Sequence, residues 1–505
     1  MKKNILQMFE ATAKRFPEKN AFSDENGSIC YRKAMNSARA VGTCIAAVSD
    51  NKRAVAVLID KSKETLVAFL GVVYSGNFYI PIDVEMPVDR IAKIFSAVDP
   101  CAIITDDNHY DIAAVVCGGR PIFRYEEAAN CPVDEKLLQK IRFRSIDTDP
   151  VYALFTSGST GIPKGVVCCH RSVIDYADWL VDTFRFDENT IFGSQTPFYF
   201  SMSVLDIYAT LNSGAELHVI PRKLFAFPIK LLEYMNQMKI NSIYWVPTAL
   251  CIVANMKALD KIPMPYLKTI LFAGEAMPNK QLNIWRRHLP DALYANLFGP
   301  TEITDIGIYY IVDRDFSDDE SLPIGRKCDN VDILVLNEDG TPTLHGEIGE
   351  LCIRGSFLAL GYYDNPAKTS EVFIQNPLNP HYPEMIYKTG DLVSYNDRGE
   401  LMYHGRRDFQ IKHRGNRIEI GEIENAAGAV PGIDMCACIY DTKKEKIVLF
   451  YQGADVTTQQ IRATMGKMVP SYMMPNVMIE MEVLPKNQNG KIDRGALKAF
   501  YSEKY

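Results

Sequence analysis

Apolar positions fall into two alternating patterns over the first four hundred residues of this chain. Residues 54–59 (Ala-Val-Ala-Val-Leu-Ile) form an unbroken apolar run that reads as a buried strand, and Lys63–Tyr74 carries the spacing of the helix after it. Residues 90–98 again read as helix and 100–105 as strand; 267–272 repeats the strand pattern. At the start, Ile5, Leu6, Phe9, Ala13 and Phe16 recur at helical spacing among charges, which predicts an amphipathic helix rather than a signal peptide. Alternation of this kind predicts α/β layers with largely parallel sheets.

From Val331 the pattern changes. Short strands at 332–336 and 349–354 flank the turn Glu338-Asp339-Gly340, and Asp397 to Leu401 reads as a hairpin, so a small, more antiparallel, β-rich subdomain is expected. A boundary falls near Asp408, followed by a compact stretch with its own apolar strands at 436–440 and 447–451. The expectation is a multidomain α/β protein: a large layered domain over 1–407 and a small α+β domain over 408–505. A length of 505 residues is itself too great for one core.

Composition narrows the class. With 47% hydrophobic and 23% charged residues the chain is an ordinary folded protein, not a disordered one. No run approaches the roughly 20 apolar residues that span a bilayer. A formal charge of −7 gives no general attraction to nucleic acid or to an anionic membrane. The twelve cysteines form no CxxC pair and the eight histidines no HExxH, so free thiols and no structural metal are expected, in a cytoplasmic setting.

The richest chemical signal is Thr156-Ser157-Gly158-Ser159-Thr160-Gly161-Ile162-Pro163-Lys164-Gly165, which follows the apolar run Val151 to Phe155. A strand emptying into such a loop can wrap backbone N–H groups, hydroxyls and Lys164 around a polyphosphate; the same composition also suits a plain linker. It is not a Walker loop, because Pro163 stands where the spacing from Gly158 requires glycine. That excludes a P-loop NTPase.

The loop resembles the phosphate loop of adenylate-forming enzymes: acyl-CoA synthetases, luciferases and nonribosomal peptide synthetase adenylation domains. Four further segments resemble that family's signatures, in its order: Asn296-Leu297-Phe298-Gly299-Pro300-Thr301-Glu302, Tyr387-Lys388-Thr389-Gly390-Asp391, the run Gly405 to Lys412, and Asn489-Gly490-Lys491-Ile492-Asp493-Arg494. Phe198-Tyr199-Phe200 and Phe272-Ala273-Gly274-Glu275 are most similar to stand-alone amino-acid adenylation enzymes such as D-alanine–carrier protein ligases. The resemblance implies ATP and Mg2+ as reactants, a small carboxylic acid as substrate, and a mobile C-terminal domain.

It also implies roles. Thr156, Ser157, Gly158, Ser159, Thr160 and Lys164 would hold phosphates, Thr301 the α-phosphate, and Glu302 the magnesium. Asn296 would contact adenine, with Phe298 stacked on it where relatives usually carry tyrosine. Asp391 would accept the ribose hydroxyls, partnered by Arg406. Lys491 would bridge the substrate carboxylate and the phosphate as charge builds between them, a donor whose loss typically costs on the order of 10²–10³ in rate. For thiol transfer the C-terminal domain would turn about Asp408, bringing up Lys412 and Gly415 beside a phosphopantetheine channel.

The acyl pocket departs from the pattern. Amino-acid-activating relatives have an aspartate for the α-ammonium after the Phe-x-Phe segment; here Ser201 follows Phe200. The rest of the lining carried over is Met202, Leu205, Tyr244, Leu271, Ala273, Gly274, Leu297, Asp305 and Ile306. Either the substrate lacks an α-amino group, or another acid holds the amine. Asp305 is the first candidate; it can equally meet a hydroxyl, the Tyr244 hydroxyl, or nothing in the pocket. No Gly-x-Asp-Ser carrier segment occurs, so a carrier protein in trans is the expected acceptor, with coenzyme A as the alternative. A non-catalytic carrier-binding protein is disfavoured, because the phosphate loop, Glu302, Asp391 and Lys491 are all present.

Overall fold

The computed structural model describes residues 2–49, 51–156, 163–407, 410–453, 456–485 and 492–505. Contacts divide the chain into two compact units: Met1–Val84, Asp99–Leu154 and Gly165–Arg407 form one; Glu85–Val98, Phe155–Lys164 and Asp408–Tyr505 form the other.

In the larger unit, two sheets are built mainly from parallel strands. One runs through Ile122–Arg124, Ala102–Thr105, Ala54–Leu58, Phe78–Pro81, Pro150–Thr156 and Lys164–Cys169. The other is ordered so that Glu216–Val219, Ile191–Ser194, Ser242–Trp245, Thr269–Ala273 and Leu293–Phe298 lie side by side in parallel, with Ile308–Ile311 added antiparallel. The central strands are buried on both faces, which is why they read as continuous apolar runs without alternation. The helix Lys63–Tyr74 is buried from Thr65 through Tyr74, and the Ser62 side chain caps its start by accepting from the Thr65 N–H. The N-terminal helix, Ile5–Arg15, is capped by Asn4 and buries Ile5, Leu6, Phe9 and Ala13 as its spacing requires, together with Met8. No helix of the described residues is long and apolar enough to cross a membrane.

The strands Val331–Leu336, Gly349–Gly355, Phe373–Gln375, Met385–Tyr395 and Leu401–Arg406 form an antiparallel sheet, as the change of pattern after Val331 leads one to expect. Two predicted strands start later than their apolar runs, at Ala102 rather than 100 and at Thr269 rather than 267. Pro100 has no N–H to give a ladder, and the Lys268 N–H goes to the loop carbonyl of Asn241.

In the smaller unit, the hairpin Gln410–His413/Asn416–Glu419 leads into the helix Ile420–Gly428, and Ile433–Asp441, Lys446–Gly453 and Val477–Glu480 form a three-stranded sheet. It has its own core, including Ile418, Ile423, Cys438, Leu449, Ile461 and Met465. Arg90 and Glu422 form a buried ion pair in this unit.

One expectation is corrected. Cys44 and Cys131 are disulfide-bonded, 87 residues apart, whereas the absence of CxxC pairs led to free thiols throughout. Local spacing carries no information about a pair that only tertiary folding brings together.

Candidate active site

Tyr244 is in register with Leu271, Leu271 with Ala295, and Ala273 with Leu297 on the adjacent parallel strands. In-register neighbours and residues two apart share a face of a sheet. Tyr244, Leu271, Ala273 and Leu297 therefore line one side, all buried, near the carboxyl ends of their strands, where α/β sheets open their crevices. Gly274 follows directly with φ +90°, a left-handed conformation that suits glycine. Glu275 of the same segment is occupied locally: its carboxylate accepts from the Thr248 N–H (3.0 Å) and hydroxyl (2.6 Å) at a helix start.

Beyond Phe298 the chain turns back on itself. Gly299 is required there, because an added Cβ would lie 2.2 Å from the Asp305 carbonyl oxygen. A 3₁₀ turn, Thr301–Ile303, leads to Thr304 at φ 71°, ψ −58°, where the Asp305 N–H reaches back to the Ile303 carbonyl at 2.8 Å. This is a γ-turn with a β-branched residue at positive φ, a strained form. It is held by the Thr304 hydroxyl, which donates to the Phe357 carbonyl at 2.8 Å.

The turn delivers Asp305 into the buried interior, 1% exposed, with Ile306 buried beside it. The Tyr176 hydroxyl donates to Asp305 Oδ2 at 2.7 Å and that of Tyr244 at 3.4 Å. Burial pushes the Asp305 carboxyl well above its usual range, against the opposing pull of the Tyr176, Tyr244 and Ser201 hydroxyls. Ser201 lies in turn 3.3 Å from the Thr301 hydroxyl, which donates to it. Phe200 precedes it half-buried, Met202 and Leu205 are buried, and the Ser203 hydroxyl donates to the Phe200 carbonyl at 2.8 Å as the helix Ser203–Ser213 begins.

Three groups here escaped the sequence reading: Tyr176, Asp206 and Lys61. Asp206 is fully buried, and among the described residues neither of its oxygens has a hydrogen-bond partner. The Ser194 hydroxyl favours its charge without meeting hydrogen-bond geometry. Burial drives the Asp206 carboxyl up and the Lys61 ammonium down, while each charge partly restores the other. Lys61 Nζ donates to the Ser194 carbonyl at 2.9 Å and lies 5.2 Å from the Phe198 ring centre. Asp206 is the one charged residue of the helix Ser203–Ser213, the only signal that marks it in sequence.

The nucleotide candidates are placed as follows. Glu302 is fully buried, and its Oε1 accepts from the Tyr362 hydroxyl at 2.7 Å. Asn296 is buried, with its side-chain amide donating to the Pro323 carbonyl at 2.9 Å. Phe298 lies 5.6 Å from the Tyr403 ring. Asp391 and Arg406 are direct cross-strand partners joined at 2.9 Å, with side chains 3% and 8% exposed. Thr156 ends its strand with a buried hydroxyl that has no hydrogen-bond partner among the described residues, and Lys164 lies 3.5 Å from Glu419, both within the smaller unit. Ser157, Gly158, Ser159, Thr160, Asp408 and Lys491 lie outside the described residues. Lys412 faces Arg417 across the hairpin, and Gly415 occupies its two-residue turn with Arg414, at φ 78° and 50°. A turn with two positive φ values accounts for that glycine locally.

Residues 9–363 match the family model described as AMP-binding enzyme, and residues 422–491 that of the AMP-binding enzyme C-terminal domain. The chain belongs to the AMP-binding enzyme family. Its relatives in this family include a component of the mycosubtilin synthase of Bacillus subtilis, 30% identical over 98% of this chain, which spans only 19% of that protein. The D-alanine--D-alanyl carrier protein ligase of Bacillus cereus (strain G9842) is 29% identical, with 98% of each chain covered. The fold is that of the Vibrio cholerae adenylation domain AlmE, solved in complex with glycyl-adenosine-5'-phosphate: TM-score 0.85 at 21% identity, over 100% of this chain and 98% of that one. AMP-binding enzymes of this kind form adenylates from ATP, and the chain is accordingly an AMP-forming ligase.

Proposed function

We propose that this protein activates a small carboxylic acid with ATP and then passes the acyl group to the phosphopantetheine thiol of a separate carrier protein. In the first step a carboxylate oxygen bonds to the α-phosphorus, the bond to the β-phosphate bridging oxygen breaks, and pyrophosphate leaves. In the second, the thiolate attacks the acyl carbon and AMP leaves. The observation that carries the reading is the contact between Thr301 and Ser201: it joins the turn assigned to the α-phosphate to the pocket assigned to the acid, so both reactants would meet there.

The residue roles are those that the resemblance to the family implies. Asn296 and Phe298 would receive adenine, Asp391 the ribose hydroxyls with Arg406 fixing its carboxylate, and Thr156, Lys164 and the intervening loop the phosphates. Lys491 would donate to the developing charge between carboxylate and phosphate. Domain 408–505 would turn about Asp408 so that Lys412 and Gly415 approach the thiol. Magnesium fits the donor set. Among the described residues no group of three or more acidic, His or Cys side chains is placed to hold a metal. Glu302 offers one hard carboxylate, and Mg2+ is commonly held by one or two carboxylates plus substrate phosphates. Bound there, it would offset phosphate charge.

The carrier-protein acceptor is supported by the relative named a D-alanine--D-alanyl carrier protein ligase, matched over nearly its full length. Dependence on ATP supports a cytoplasmic setting. Magnesium-dependent exchange of pyrophosphate into ATP, driven by one acid from a panel, tests the first step. Acylation of a phosphopantetheinylated carrier, with coenzyme A as the competing acceptor, tests the second.

A further inference from the structure

We propose that Asp305 Oδ1 binds an ammonium carried beyond the α-carbon, so that the substrate class is a short 3-amino acid. This rests on the adenylation reading above and identifies the acid it leaves open.

Charge balance is the first ground. The interior around the pocket holds two enclosed carboxyls, Asp305 and Asp206, and one lysine, Lys61. Lys61 acts on Asp206. Among the described residues Asp305 is met by the hydroxyls of Tyr176, Tyr244 and Ser201, with Asp206 a second acid in its field. A substrate bearing one positive charge balances the set.

Direction is the second. Both tyrosines address Oδ2, and among the described residues no hydrogen bond reaches Oδ1. Hydroxyls that all point towards a carboxyl suit its ionised, acceptor form, which an ammonium completes and a neutral hydroxyl does not. The strained turn at Thr304 holds the aspartate in this place, and strain of that kind persists where the surroundings over-determine it.

Position is the third. Ser201 occupies the level of the α-ammonium aspartate in relatives and touches Thr301, where the reacting carboxylate would lie. Asp305 lies one contact further along from Thr301: Ser201 meets its carboxyl, as do Tyr176 and Tyr244. An amine that reaches it stands at least one carbon further from the carboxylate than an α-amine. Leu271, Ala273 and Leu297 share the Tyr244 side of the sheet with buried apolar side chains.

Pyrophosphate exchange is measured with isosteric pairs: 3-aminopropanoate against 3-hydroxypropanoate, and alanine against lactate. The wild type is expected to favour 3-aminopropanoate over 3-hydroxypropanoate by roughly 10²–10³-fold in kcat/KM, the scale of an uncompensated buried charge. Asp305→Asn is expected to erase that preference while leaving KM for ATP unchanged, and Ser201→Asp to shift preference towards alanine. The wild-type comparison needs no variant to fold. A neutral acid or alanine preferred by the wild type, with Asp305→Asn leaving the preference unmoved, overturns the amine assignment while adenylation stands. No exchange with any acid overturns both.

Discussion

The Asp391–Arg406 pair permits a prediction with a worked magnitude. The two residues face each other across adjacent strands at 2.9 Å, with side chains 3% and 8% exposed. Replacing Arg406 with methionine keeps most of the volume and strands a buried carboxylate, which costs about 3–5 kcal/mol. Asp391→Asn keeps an acceptor for the guanidinium and removes the charge, at a cost of roughly 1–3 kcal/mol. The double variant should therefore be more stable than the sum of the singles implies, by up to about 3 kcal/mol. Urea unfolding of the four proteins, read as a double-mutant cycle, measures this directly. The same carboxylate is assigned to the ribose. A hydrogen bond to a charged group is worth about 1.5–3 kcal/mol, so Asp391→Asn should raise KM for ATP roughly 10- to 150-fold. For the wild type, 2′,3′-dideoxy-ATP should show the same penalty; for the variant, little more. Additive stability losses would refute the buried pair, and an equal dideoxy penalty in both proteins would refute the ribose contact.

Glu302→Gln should retain the Tyr362 hydrogen bond at its oxygen while raising the magnesium concentration needed for half-maximal exchange by about tenfold or more; an unchanged magnesium titration contradicts the metal role. Gly415 sits in a turn at positive φ, so the substitution that separates turn from channel is Gly415→Asn, which tolerates that conformation, against Gly415→Trp. Both should leave pyrophosphate exchange near wild type, and the tryptophan alone should block carrier acylation. Equal loss of acylation in the two variants assigns the glycine to the turn only.

Much of the scaffold was legible because burial and period agree. The helix Lys63–Tyr74 begins at a capping serine and ends before Ser75-Gly76, and the central strands are apolar throughout because they are buried on both faces. The antiparallel subdomain announced itself through turn residues at 338–340 and 397–399. The acyl pocket was legible only in part. Ser201 and Asp305 follow closely on segments that resemble family motifs, Tyr244 belongs to the lining that the resemblance implies, and the structure brings their neighbourhoods together. Tyr176, Lys61, Asp206 and Tyr362 carry no motif; their roles arise from helix and strand placement more than a hundred residues away from their partners in several cases. The Cys44–Cys131 bond was invisible for the same reason.

The central claim is acid-dependent formation of an acyl-adenylate at the Thr301–Ser201 junction. The most direct measurement is exchange of labelled pyrophosphate into ATP by the wild type and by Lys491→Ala, with magnesium and the acid of the panel that drives exchange best. The account predicts exchange that requires both additions and falls by roughly 10²–10³-fold in the variant, with nucleotide binding retained, because the lysine acts on charge that develops in the transition state. Exchange at near wild-type rate in Lys491→Ala, or exchange that proceeds without any carboxylic acid, would contradict it.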